Sequence, residues 1–223
     1  MKNKSEVLVA FKLFRSNIEN ELGCKIKMLR DDKGGEFMST ELDKYLTAAG
    51  ITRQHTIRNS SHQNGVAEHF NRTLAEGTIS LLSEAKLPQS FWEHAVTTTV
   101  YVRNWSPTSA LDGKVPYTIF VGKKPDVSHL RVFGCTAYVH VQKDQQSSLG
   151  AHTQKCVFIG YPDGYKGWLF YNPLTKKTLI SNSVTFDECM FPGLSKSLAT
   201  KVSGLYNFLR VEESAMEPMQ NQV

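Results

Sequence analysis

The apolar pattern of the chain changes at Ser106-Pro107, and that change limits what each half can fold into. Before it, apolar residues recur at steps of three and four. After it they fall into short alternating runs separated by glycine and proline. In the first half, Val7, Leu8, Phe11, Phe14, Ile18 and Leu22 mark an amphipathic helix over 5–22, opened by the Ser5 cap and closed by Gly23. A strand is predicted over Lys25–Arg30, then a Gly-Gly turn, a helix from about Ser39 to Ala49 and a strand over Ile51–Ile57. The polar stretch from Arg58 to Gly65 lacks an apolar anchor and reads as a loop. Val66–Ala85 is a long helix broken by Leu87-Pro88, and Phe91–Asn104 is another.

Strand, helix, strand, helix points to an α/β layer with parallel pairing. Two strands alone would leave both edges open, so this part reads as a sheet whose leading strands are missing. After a Pro/Gly-punctuated linker, runs at Thr136–Val141, Lys155–Tyr161, Trp168–Tyr171 and Thr178–Phe186 predict four or five short strands in a small barrel. From Phe191 the composition is polar and unpatterned, and 212–223 reads as a frayed tail.

Composition narrows the class. The apolar share of 40% supports a core, and the net charge of +5 permits contact with nucleic acid without demanding it. No apolar run approaches the roughly 18 residues of a membrane span, and the first residues lack a secretory pattern, so an intracellular protein, nuclear or cytoplasmic, is expected. Cys24, Cys135, Cys156 and Cys189 are too scattered for a zinc site and read as free thiols.

The sharpest chemical feature is a pair of carboxylates, Asp32 at the end of a strand and Glu68 at the start of the long helix, with 35 residues between them. Hard oxygen ligands of this kind suit Mg²⁺, and two-metal sites use them in phosphoryl transfer. Taken alone, an Asp and a Glu are better read as two solvated charges.

Context adds to the pair. Leu29-Arg30-Asp31-Asp32-Lys33-Gly34-Gly35-Glu36-Phe37 and Ser61-His62-Gln63-Asn64-Gly65-Val66-Ala67-Glu68-His69-Phe70-Asn71-Arg72-Thr73 resemble the integrase core of copia-type retrotransposons. The likeness continues through Leu87-Pro88-Gln89-Ser90-Phe91-Trp92, Gly122-Lys123-Lys124-Pro125, Ser128-His129-Leu130-Arg131-Val132-Phe133-Gly134-Cys135, Phe158-Ile159-Gly160-Tyr161 and Val184-Thr185-Phe186-Asp187-Glu188. It covers roughly residues 4–190.

The resemblance implies a fold class of α/β: a truncated RNase H-like domain over 1–106, a linker over 107–128, an all-β SH3-like barrel over 129–190 and a polar tail over 191–223. It identifies Asp32 and Glu68 as two of three acids that hold Mg²⁺ or Mn²⁺, with Asp31 ranked below Asp32 because its spacing is off by one. The first acid of the triad would precede Lys4-Ser5-Glu6, outside these residues. The expectation is therefore a fragment of a Pol polyprotein integrase that binds weakly or no metal and does not join DNA ends alone. Gln63, Asn64 and Gly65 fit a loop approaching DNA, and Lys33 and Arg72 fit phosphate contacts, although surface charges read equally well as solvated. Expected partners are DNA (element ends and target) or RNA, and other integrase subunits.

The competing class is a non-enzymatic assembly module that pairs with intact integrase through an exposed sheet edge. His62 and His69 read as loop and helix-surface residues. Phe91, Trp92 and Tyr101 fit helix packing, and Trp168, Phe170 and Tyr171 fit barrel core or edge. The basic residues of the barrel, Arg131, Lys143, Lys155, Lys166, Lys176 and Lys177, exceed its acids by only two, which supports salt-sensitive binding or a purely structural module.

Overall fold

The computed structural model describes residues 6–31, 39–55, 65–141 and 150–194. The chain divides into two compact units, Met1–Phe70 and Asn71–Val223, so the expected boundary at Ser106 runs through the second.

In the first unit, α1 (Glu6–Leu22) leads to β1 (Met28–Asp31), α2 (Thr40–Ala48) and β2 (Thr52–His55). The hydroxyl of Ser39 accepts the Glu41 amide at 3.3 Å and caps α2, with Glu41 and Asp43 in its first turn where the helix dipole favours acids. β1 and β2 pair in parallel from Met28↔Thr52 to Asp31↔His55, joined through α2. Their inward face and the two helices enclose Leu42, Leu46 and Ile51, with Leu8, Phe11, Ile26 and Leu29 packed around them. The predicted α/β pairing is observed, and the first strand begins at Met28 rather than at Lys25.

α3 (Gly65–Ala85) begins in the first unit and ends in the second, which continues through a 3₁₀ turn (Gln89–Phe91), α4 (Trp92–Asn104) and α5 (Pro116–Val121). The segment read as a linker thus contains a helix. Its proline occupies the first helical turn, where a missing N–H costs nothing, and Gly122 caps its end.

The all-β part has strands β3 (Thr136–His140), β4 (Thr153–Gly160), β5 (Trp168–Asn172), β6 (Lys177–Ser181) and β7 (Val184–Asp187), paired antiparallel in the order β6-β5-β4-β3-β7. The run Thr178–Phe186 is therefore two strands, because Ser181 turns the chain: its hydroxyl accepts the Ser183 amide at 3.1 Å. β6 and β7 lie at opposite ends of the strand order, yet only Asn182 and Ser183 separate them. Those residues can span at most about 11 Å, whereas a flat five-strand sheet would hold its edges about 19 Å apart. The sheet must curl, and the barrel follows.

The interior of the barrel is Cys135, Ala137, Val139, Cys156, Phe158 and Phe170, lined by Trp168, Leu179, Val184 and Phe186. A second cluster joins the other face of β4 to the helices: Leu82, Ala85, Leu87, Phe91 and Ala95 pack with Phe133, Val157 and Ile159. Two glycines permit this approach. A Cβ on Gly134 would sit 2.1 Å from the Ala85 Cβ, and one on Gly160 would sit 2.6 Å from the Thr98 hydroxyl oxygen.

All four thiols are free; Cys24 and Cys189 are exposed, Cys135 and Cys156 buried. Burial pushes the Cys135 thiol up to about 12 and the Cys156 thiol up to about 11. A thiol-reactive dye at pH 8 is expected to label two cysteines in the folded chain and four in denaturant; four fast-reacting thiols in native buffer would contradict the barrel core. From about pH 8.5, where an unfolded thiol ionises, up to these raised values, the native state holds protons the unfolded chain has lost. Stability of the second unit should accordingly fall as pH rises from 8 to 10, read as a falling Tm.

Candidate nucleic-acid interface and acidic site

Parallel strands present functional groups at their C-terminal ends. Here those ends are Asp31 on β1 and His55 on β2, directly opposite in register. The Asp31 carboxylate is almost wholly enclosed, with 2% of its side chain exposed. Arg53 donates from Nε to one oxygen at 2.8 Å, and His55 Nδ1 lies 2.9 Å from the other. Arg53 also bonds Asp43 on α2. The hydrogen bond to Asp31 is the main reason the Arg53 guanidinium is held above its usual pKa, against the opposing effect of burial. Asp31 is thus engaged in an internal ion-pair network.

Asp32, Lys33, Gln63 and Asn64 lie outside the described residues, as does His62. Gly65 is the first residue of α3, and Glu68 lies exposed in its first turn, where an acid also favours the helix dipole. Arg72 is exposed one turn further on, so Glu68 and Arg72 share a helix face. His69 is exposed on the same helix. Among the described residues no three His, Cys, Asp or Glu side chains come together to hold a metal ion. With Asp31 engaged by Arg53 and His55, the described residues do not fit a complete Mg²⁺ site.

Most of the aromatic residues pack as expected, although Trp92 is exposed, and they also form an arrangement the sequence did not suggest. Phe91 meets Tyr171 edge-on with centroids 5.0 Å apart, Phe170 is fully buried and Trp168 packs on Phe186. Tyr161, Tyr101, Trp105 and Tyr117 stack in sequence, with centroid separations of 4.1, 5.8 and 4.1 Å. His129 lies edge-on to this ladder, its Nε2 2.8 Å from the Tyr101 hydroxyl, while its carbonyl accepts the Trp168 indole N–H at 2.9 Å. These contacts join α4, α5 and the barrel across 60 residues of sequence, beyond the reach of any local pattern. On the barrel, Arg131 lies over Phe186 and Trp168 and 3.8 Å from Glu188, so its charge is partly satisfied internally. Lys155, Lys166, Lys176 and Lys177 are exposed, and Lys143 lies outside the described residues.

The curled five-strand sheet belongs to a recognised class: residues 135–199 match the retroviral polymerase SH3-like domain. Over 84–90% of its length the chain is homologous to segments of retrovirus-related Pol polyproteins of copia-type transposons. It is 41% identical over 188 residues to the Pol polyprotein from transposon TNT 1-94 of Nicotiana tabacum, covering 84% of this chain and 14% of that one. It is 34% identical over 200 residues to that from transposon RE1 of Arabidopsis thaliana, covering 90% and 13%, and 32% identical over 192 residues to that from RE2 of the same plant, covering 86% and 13%. The chain therefore spans about one seventh of the length of these relatives. A looser likeness, TM-score 0.43 at 16% identity over 75% of this chain and 62% of the other, is to a chain of the simian T-cell lymphotropic virus intasome in complex with PP2A regulatory subunit B56 gamma. No described helix is long and apolar enough to cross a membrane.

Proposed function

We propose that this chain is a DNA-directed segment of a Pol polyprotein integrase: residues 1–106 belong to an RNase H-like core, 107–128 connect, 129–190 form the SH3-like barrel and 191–223 the tail. The observation that carries the reading is identity of 41% over 188 residues, 84% of this chain, to one such polyprotein. In this reading Asp32 and Glu68 are the acids of the integrase site, the complete form of which takes Mg²⁺ or Mn²⁺. Lys33, Gln63, Asn64, Gly65 and Arg72 face DNA, the amides and the backbone of Gly65 approaching it and the two cations meeting phosphates.

The 223 residues alone bind DNA without joining it. The test is a strand-transfer assay on the purified chain with a labelled duplex and Mg²⁺, run beside a binding measurement. Retained DNA with no joined product is expected; joined product that disappears in Asp32→Asn would overturn the inactive reading. Combining Asn64→Ala with Arg72→Gln is expected to weaken duplex binding about thirtyfold, as loss of one charged and one neutral polar contact would.

A second reading, an assembly module that pairs with intact integrase, draws support from the two-stranded sheet of the first unit, whose outward face exposes Met28, Arg30, Thr52 and Gln54. Co-purification with a full-length integrase supports it, and a chain that ignores such a partner counts against it.

A further inference from the structure

We propose that the face of α5 bearing Tyr117 and Phe120, with Lys114, Lys123 and Lys124 at its two ends, docks single-stranded nucleic acid. The proposal rests on the reading of the chain as DNA-directed, but it uses residues remote in sequence from Asp32, Glu68 and the loop between them.

Tyr117 and Phe120 are three residues apart on a helix and share one face. Tyr117 is the last ring of the stacked ladder, 4.1 Å from Trp105 with planes 17° apart, and no further described ring contacts it. Phe120 is 40% exposed on a helix whose neighbouring positions, Ile119 and Val121, are also open at 54% and 42%. The ladder ties this short helix to α4 and to the barrel, so Tyr117 is held before any ligand arrives. A preordered surface loses less freedom on binding.

The charge around the rings has the sign a polyanion requires. Lys114, Lys123 and Lys124 are exposed, and none forms an ion pair with a described residue. Asp112 and Asp126 lie in the same stretch, which keeps a net charge of +1. An exposed Phe120 ring beside the half-buried Tyr117, flanked by cations, suits strands whose bases are unstacked, whereas a duplex keeps its base faces covered. The six residues of α5 extend about 9 Å, so the lysines at its ends can meet neighbouring phosphates of a strand laid along it.

The test uses the full chain and fluorescence anisotropy with labelled oligodeoxythymidylate and a duplex of equal length. Phe120→Ala, an exposed position where truncation leaves the fold in place, is expected to weaken thymidylate binding about tenfold, within the range of one lost base stack, and to change duplex binding less than twofold. The triple variant Lys114→Gln, Lys123→Gln, Lys124→Gln should reduce the slope of log affinity against log salt by about 2 on the single strand. Parental thymidylate binding in both variants, with losses confined to Asn64→Ala and Arg72→Gln, would overturn this proposal and leave the proposed function standing. A DNA-independent dimer dissolved by Phe120→Ala, with thymidylate affinity unchanged, would overturn it in favour of a second copy of the chain. A parent chain that binds neither oligonucleotide would overturn both readings.

Discussion

Replacing Gly134 with alanine is expected to destabilise the second unit by about 3–5 kcal/mol, from strain at a left-handed backbone and overpacking in a filled core together. Gly134 has φ +81°, and the added methyl would lie 2.1 Å from the Ala85 Cβ and 3.0 Å from its Cα. Neither neighbour can yield easily: Ala85 is fully buried at the end of α3, and the Gly134 amide donates to the Phe158 carbonyl at 2.8 Å. Against a typical total stability of about 5–15 kcal/mol, such a loss removes much of what holds the unit folded. Trp92, Trp105 and Trp168 all belong to this unit, so tryptophan fluorescence during urea unfolding reports it directly. A midpoint unchanged from the parent would mean that α3 and the barrel do not meet as described.

The other large effect is expected at Arg53. Replacement by methionine removes the guanidinium from the enclosed Asp31 carboxylate and keeps the His55 contact. Breaking one side of a buried pair typically costs about 3–5 kcal/mol, because the other charge stays desolvated. The loss should register in the first unit, as faster proteolysis within residues 6–55, while the tryptophan transition of the second unit moves much less. Adding Asp31→Asn to Arg53→Met should recover part of the stability, since the stranded charge is then gone. Additive losses in the double variant would show that the two side chains do not act as a pair.

The helices were legible because their apolar faces are periodic and their ends carry local signals: Ser39 before α2, Leu87-Pro88 after α3. Parallel pairing of β1 and β2 followed from their alternation with helices. Where the signal was ambiguous, the reading departed from the structure. Pro116 and Gly122 look like linker punctuation, but the same residues open and cap α5. The break between β6 and β7 carries no glycine or proline and depends on a serine turn that the alternation of residues conceals. The Asp31, Arg53, His55 and Asp43 network had a faint signature, polar residues two apart on paired strands, which acquires meaning only once the register is known. The aromatic ladder had none, since its members span Tyr101 to Tyr161 and meet only in the folded unit. Of the proposed site residues, the structure describes Gly65, Glu68 and Arg72 at the start of α3.

The most direct test of DNA binding is a titration of the purified 223-residue chain into a labelled DNA duplex at about 50 mM and about 200 mM salt. Saturable binding at the lower salt that weakens markedly at the higher is expected of a surface that releases counterions from phosphates. An unchanged signal at 50 mM salt, with the chain folded by circular dichroism, would contradict the assignment of these residues to DNA.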